Sequence, residues 1–205
     1  MSGAAAAGFY GKLPARGDFV ERRLDRGFCR AIDGWLQAGM ETAQVQLGES
    51  WLPLYLEAPI WRFALAAGVC GPRPAMGVMM SSVDRVGRYF PLVVATHSAS
   101  VPADAWFDAA EQLVLTALED DCTFEAFDSC VAAMAPAAPA CVPDGASGSL
   151  WWTLGSAALP ACALTSPGLP VSHECLALLD ADVGRWGWQR LAKEPVPGMP
   201  AFGLS

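Results

Sequence analysis

Apolar residues recur along this chain with two different spacings. From Asp25 to Leu47 they return at three- and four-residue steps: Phe28, Ile32, Trp35, Leu36, Met40, Ala43 and Leu47. That spacing predicts a helix with one apolar stripe. The Asp25 carboxylate can accept from first-turn amides, and Gly48 can end the helix. A second helix is predicted to start at Pro102, with Trp106, Ala109, Ala110, Leu113, Ala117 and Leu118 facing the core. Thr123 can cap a third, with Phe124, Phe127, Val131 and Met134 on one side. Between the first two, "ESWLPLYLEAP" reads as a short helical or irregular link.

The remaining apolar stretches are short and nearly continuous. "AGFYGKLP", stopped by Pro14, and then "IWRFALAAG", "AMGVMMSSVD", "YFPLVVATHS" and "SLWWTLG" read as strands. Strands without polar alternation are those covered on both faces. Trp151 and Trp152 are adjacent on one strand and must point to opposite faces. One of them is therefore expected near the surface or beneath the C-terminal segment. Helices and strands are interspersed, which predicts an α/β fold: a layered sandwich with a central mixed β-sheet flanked by helices. Residues 1–134 are expected to form the core, and 135–148 a Pro/Ala/Gly linker or long loop. Residues 149–205 are expected to be a strand and helix segment packing on the same domain. Within that segment Ser172 is expected to cap a short helix, "GRWGWQRL" to be a last helical piece, and the tail to fray.

Charge alters this picture in one respect. The 205 residues carry a net charge of −8, unevenly distributed. Residues 1–90 hold ten Lys/Arg against eight Asp/Glu, and the rest hold three against thirteen. An acidic chain is a poor general nucleic-acid binder, because neutralising phosphates requires clustered cations. The basic residues concentrate in Lys12–Arg30 and at Arg85 and Arg88. If those segments meet in space they make a local positive patch; otherwise they form a solvated face.

Seven cysteines (Cys29, Cys70, Cys122, Cys130, Cys141, Cys162 and Cys175) show no CxxC spacing. Most have apolar neighbours and are expected to be small buried hydrophobes in a reducing compartment, with neither disulfide nor zinc. The N-terminus lacks the pattern of a signal peptide, and no apolar run is long enough for a membrane span. A cytoplasmic location is expected.

The densest polar cluster is "SSVDRVGRYFPLVV", residues 81–94. Arg85 and Arg88 could bind an oxyanion in a bidentate way, and Gly87 could supply a positive φ. Neither the P-loop nor the GxGxxG pattern is present. Three readings stay open: an Asp84–Arg pair ordering the loop, a partner- or anion-binding surface, and catalysis. A second polar segment, "GKLPARGDFVERR", holds Lys12, Arg16, Asp18, Glu21, Arg22 and Arg23. It could pair internally with the first or bind a ligand. The only histidines, His97 and His173, have no serine elbow to accompany them, so catalytic residues, cofactors and metals are not expected. Most of the eight tryptophans fall within apolar periodicity; an exposed one would be a hot spot for a protein partner.

"GFYGKLPARGDFVERRL" (8–24), "IDGWLQAGM" (32–40), "APIWRFALAAGVCGP" (58–72) and "MMSSVDRVGRYFPL" (79–92) together resemble the TagF family of type VI secretion-associated proteins. The likeness covers roughly residues 8–134 and follows the family's order and spacing. Ile32 replaces the aromatic residue before the Asp–Trp step. The resemblance implies a cytoplasmic, non-enzymatic, post-translational repressor of type VI secretion assembly. It implies an α/β sandwich, and a forkhead-associated-domain scaffold protein as partner. Some members carry a fused phosphatase domain; this chain resembles the stand-alone form. Lys12, Arg16, Gly17, Asp18, Phe19, Asp84, Gly87, Arg88, Phe90 and Pro91 match the family's motifs. A partner-binding role is expected for Lys12, Arg16, Asp18, Arg85 and Arg88, and a structural loop role for Asp84, Gly87, Phe90 and Pro91. The alternatives are a phosphate-handling enzyme or phospholigand sensor using Asp84–Arg88, and a structural component of the secretion machine.

Overall fold

The computed structural model describes residues 6–98, 104–119, 121–134, 147–171, 173–180 and 182–187. Seven strands form one sheet: β1 (Gly8–Gly11), β2 (Val20–Arg22), β3 (Trp61–Leu65), β4 (Ala75–Met80), β5 (Leu92–Thr96), β6 (Ser149–Gly155) and β7 (Pro160–Ser166). Their order is β2-β1-β5-β4-β3-β6-β7. Every pairing is antiparallel, so the α/β sandwich holds but its sheet is not mixed. The short connections β3–β4 and β6–β7 make hairpins, and parallel pairing would need long crossovers.

Helices cover both faces. On one lies α1 (Arg26–Leu47), together with the 3₁₀ turns Glu174–Leu178 and Val183–Trp186. On the other lie α3 (Asp104–Thr116) and α4 (Phe124–Ala133). The alternation along β3 shows why apolar residues occupy both of its faces. Trp61, Phe63 and Leu65 enter the α1 core, and Ala64 enters the α3/α4 core. Trp151 and Trp152 do point to opposite faces, but neither approaches the surface. Trp151 packs on Trp35 and Phe63, and Trp152 lies edge-on to Phe107. A sheet with two covered faces has a buried place for each.

The caps follow the residues. Asp25 accepts from the N–H groups of Gly27 (2.8 Å) and Phe28 (3.4 Å). Gly48, at φ 53°, donates its N–H to the Gln44 carbonyl and closes α1. Thr123 accepts from the Ala126 N–H at 3.1 Å and opens α4. The link after α1 is helical, α2 (Trp51–Glu57). The buried face of α3 keeps Trp106 and Ala110 from the expected one, with Leu113 packed partly against the core, and adds Phe107 and Val114. Trp106, Phe107, Ala110, Val114 and Ala117 are buried, whereas Ala109 and Leu118 face solvent. Alanines fit either face, and Phe107 buries more area than Ala109 would, whereas Leu118 lies beyond the end of α3.

The C-terminal part is tied back through indole donors. Trp35 Nε1 donates to Pro170 O at 2.8 Å, and Trp61 Nε1 to Leu178 O at 2.9 Å. Pro102, Ser172, Trp188, Cys141, the 135–146 segment and the tail lie outside the described residues. Cys29, Cys70 and Cys175 are buried thiols, and burial pushes each up to about 12. Cys130 is instead exposed, on the solvent face of α4.

Candidate functional site

The charged cluster is the tip of the β4–β5 hairpin. The Gly87 N–H donates to the Asp84 carbonyl and the Asp84 N–H to the Arg88 carbonyl, each at 3.0 Å. Gly87 has φ +84°. This is a three-residue hairpin loop closed by a glycine in the left-handed region. Asp84 starts it, its Oδ1 accepting from the N–H groups of Val86 (3.0 Å) and Arg88 (2.9 Å).

The other Asp84 oxygen takes two cations. Arg88 Nε donates to Oδ2 at 2.7 Å, and Lys12 Nζ lies 3.0 Å from the same atom. Burial pushes the Asp84 carboxyl up. The Arg88 N–H, the Lys12 ammonium, the Arg88 guanidinium and the Val86 N–H outweigh it and hold the group well below the usual carboxylate range. Lys12 is buried and also donates to the Arg88 carbonyl at 3.4 Å, so it presents no charge to solvent.

The hairpin tip and the β1–β2 loop are bound together by further contacts. The Arg85 N–H donates to Arg16 O at 2.9 Å, Ser82 Oγ to Lys12 O at 2.9 Å, and Arg88 Nη2 to Gly17 O. Phe19 stacks on Tyr10 and lies edge-on to buried Phe90 at 4.8 Å between centroids. Gly11, at φ +135°, brings β1 so close to the Pro91 carbonyl that a Cβ there would collide with it.

The five residues expected to bind a partner therefore separate. Lys12 is internal. Arg88 is divided, its Nε on Asp84 while its side chain stays over half exposed. Asp18 is fully exposed, 4.0 Å from Arg88. Arg85 points to solvent. Arg16 is half exposed and reaches α4, where its Nη2 donates to Glu125 Oε1 at 2.8 Å.

The local sequence does not show what surrounds these arginines. Phe124, at the start of α4, has the Arg16 guanidinium 4.6 Å and the Arg22 guanidinium 4.9 Å from its ring centroid. Phe19 and Val86 expose apolar surface beside the arginines. Arg85, Phe19 and Phe124 are among the residues around an open cleft of about 410 Å³ between the β1–β2 loop and α4. Nothing near residue 16 signals a partner more than a hundred positions away.

On the α3 side, Arg62 is buried in β3. Its Nε donates to Glu111 Oε1 at 2.6 Å and its Nη2 to Asp108 Oδ1 at 2.7 Å. A lone arginine inside an apolar strand was the visible signal. Its carboxylate partners, three residues apart on one helix face, are the expected counterpart. His97 is half-buried just after β5, edge-on to Phe28, and burial pushes its imidazole pKa down. His173 is exposed, on the α1 side of the sheet. Among the described residues no group of three or more His, Cys, Asp or Glu side chains could hold a metal ion. No described helix is long and apolar enough to cross a membrane.

A family model described as the TagF N-terminal domain, type VI secretion system-associated, matches residues 8–134. The crystal structure of PA0076 from Pseudomonas aeruginosa PAO1 superposes with a TM-score of 0.78 at 36% sequence identity. It covers 95% of this chain and 100% of that one. No curated protein matches the chain.

Proposed function

Since this chain belongs to the TagF N-terminal domain family, which is associated with type VI secretion, we propose that it is a cytoplasmic, non-enzymatic regulator. It represses assembly of the secretion machine post-translationally by occupying a forkhead-associated-domain scaffold protein. The contact face is the β4–β5 hairpin tip with the adjoining β1–β2 loop. Arg85, Arg88, Arg16 and Asp18 supply its charge, and Phe19 and Val86 its apolar area.

One observation carries this reading. The only carboxylate in the hairpin tip, Asp84, is buried and consumed by Lys12, Arg88 and two backbone N–H groups. It thereby braces an exposed rim rather than offering a free base. A braced rim of arginine and aromatic side chains suits recognition of a protein surface, because little conformational entropy is lost on binding.

The test is capture of the purified scaffold by the tagged chain, paired with a secretion assay in the host. Arg85→Glu is expected to lose capture and to release secretion, with an unchanged melting temperature. Capture and repression equal to wild type for both Arg85→Glu and Phe19→Ala would remove this face from the mechanism. Phosphatase or nucleotidase turnover by the wild-type chain would overturn the non-enzymatic part.

A further inference from the structure

We propose that the cleft between the β1–β2 loop and the start of α4 binds an acidic segment of a protein partner, whose carboxylates insert between Arg85, Arg16 and Arg22. This deepens the regulator reading and rests on it for the identity of the partner; the chemistry of the cleft stands separately. Three observations carry it.

The first is supply of donors. Arg16, Arg22 and Arg85 all line one cleft of about 410 Å³, room for a few side chains. Among the described residues nothing pairs with the Arg85 guanidinium. Arg16 spends Nη2 on Glu125, and Arg22 spends Nη1 on the Glu21 carbonyl while its Nε lies 3.9 Å from Asp128 Oδ2. A guanidinium has five N–H donors in a planar fork, so donors remain on each.

The second is preorganisation. The Arg16 and Arg22 guanidinium groups lie over the Phe124 ring, and the Arg85 backbone is pinned to the Arg16 carbonyl. Arginines held over an aromatic ring keep their donor edges available while losing little freedom when they bind.

The third is an internal stand-in. Glu125 is mostly exposed, yet its carboxylate already lies 2.8 Å from Arg16 Nη2. This is the interaction an incoming carboxylate would make, and an exposed pair of this kind is weak enough to be displaced. The overall charge of −8 argues against a polyphosphate such as duplex DNA, which would meet repulsion over most of the surface. A short acidic peptide meets three arginines in the cleft, against two carboxylates, Asp18 and Glu21, on the same lining.

Fluorescence anisotropy tests this with a labelled hexapeptide of five glutamates and one phenylalanine, titrated with the intact chain. Wild type is expected to bind, and to lose affinity as salt rises from about 0.05 M to about 0.3 M, as screened charge contacts do. Arg85→Glu is expected to weaken binding about tenfold, a loss of one charge-assisted contact. Glu125→Gln is expected to tighten it about twofold to threefold by freeing Arg16 from an exposed pair. Melting curves of both variants should superpose on wild type, since both side chains are exposed. Binding unchanged by Arg85→Glu, or unaffected by salt, overturns the proposal. So does tighter binding of a duplex DNA of equal charge. If Arg85→Glu loses the peptide while both it and Phe19→Ala still capture the scaffold, the acidic-segment site stands and the proposed contact face of the regulator falls. If it loses the scaffold but keeps the peptide, the reverse holds.

Discussion

Arg88 Nε donates to Asp84 Oδ2 at 2.7 Å, four residues apart across a hairpin tip. The same guanidinium reaches the Gly17 carbonyl on the neighbouring loop. One side chain thus closes its own turn and fastens it to β1–β2. Lys12 completes the arrangement from below. The exposed rim above is shaped by a buried ionic centre.

That centre should be visible in the pH dependence of stability. The Asp84 carboxyl is held below its usual range in the fold, whereas an unfolded aspartate titrates near about 3.9. Its contribution is therefore complete above the unfolded value and is lost as pH falls through the depressed native one. Thermal melts from neutral to strongly acidic pH should show this steep acid limb in wild type. Asp84→Asn should be less stable at neutral pH and have a shallower limb. Parallel limbs would mean that other carboxylates dominate.

Gly87 occupies φ +84° with open space where a Cβ would stand, so only backbone strain opposes a side chain there. Gly87→Ala is expected to cost about 1 kcal/mol, the ordinary penalty for a left-handed L-residue. Urea unfolding should register it as a lower midpoint with unchanged slope. Gly87→Asn should recover part of the loss.

Arg62 is a buried cation whose charge is met only from α3 among the described residues. Removing both carboxylates, Asp108→Ala with Glu111→Ala, strands it and is expected to cost about 3 kcal/mol. Adding Arg62→Leu to that pair should restore most of the loss, because the site then becomes apolar. Chemical denaturation of the double and triple variants decides it: no recovery in the triple variant would mean that packing, not charge, is what was lost.

Trp35 joins α1 to the 147–171 segment by its Nε1 bond to Pro170 O and by its ring on Trp151. Trp35→Phe keeps much of the ring contact and deletes the donor. About 1 kcal/mol should be lost, the usual worth of one hydrogen bond. Hydrogen exchange should show faster opening around residues 169–179 than around β4 and β5.

The sequence by itself determined the elements wherever a local rule was strong. Asp25, Gly48 and Thr123 mark helix ends in the structure as their side chains or φ freedom require. The nearly continuous apolar runs of β3, β4 and β5 announced a sheet covered on both sides. The motifs in 8–24 and 79–92 pointed to the family, and the Asp84–Gly87–Arg88 spacing contained a turn and an ion pair. Tertiary structure decided what no local pattern encodes. It made every strand pairing antiparallel, and it put Phe107 rather than Ala109 on the buried side of α3. It turned Lys12 inward onto Asp84 while leaving Arg85 outside. It also carried Phe124 and Glu125 to Arg16 across more than a hundred residues. A side chain's neighbours through the chain are fixed by covalent geometry. Its neighbours through space follow from which faces must bury apolar area together, and that is settled only when the whole sheet closes over its helices.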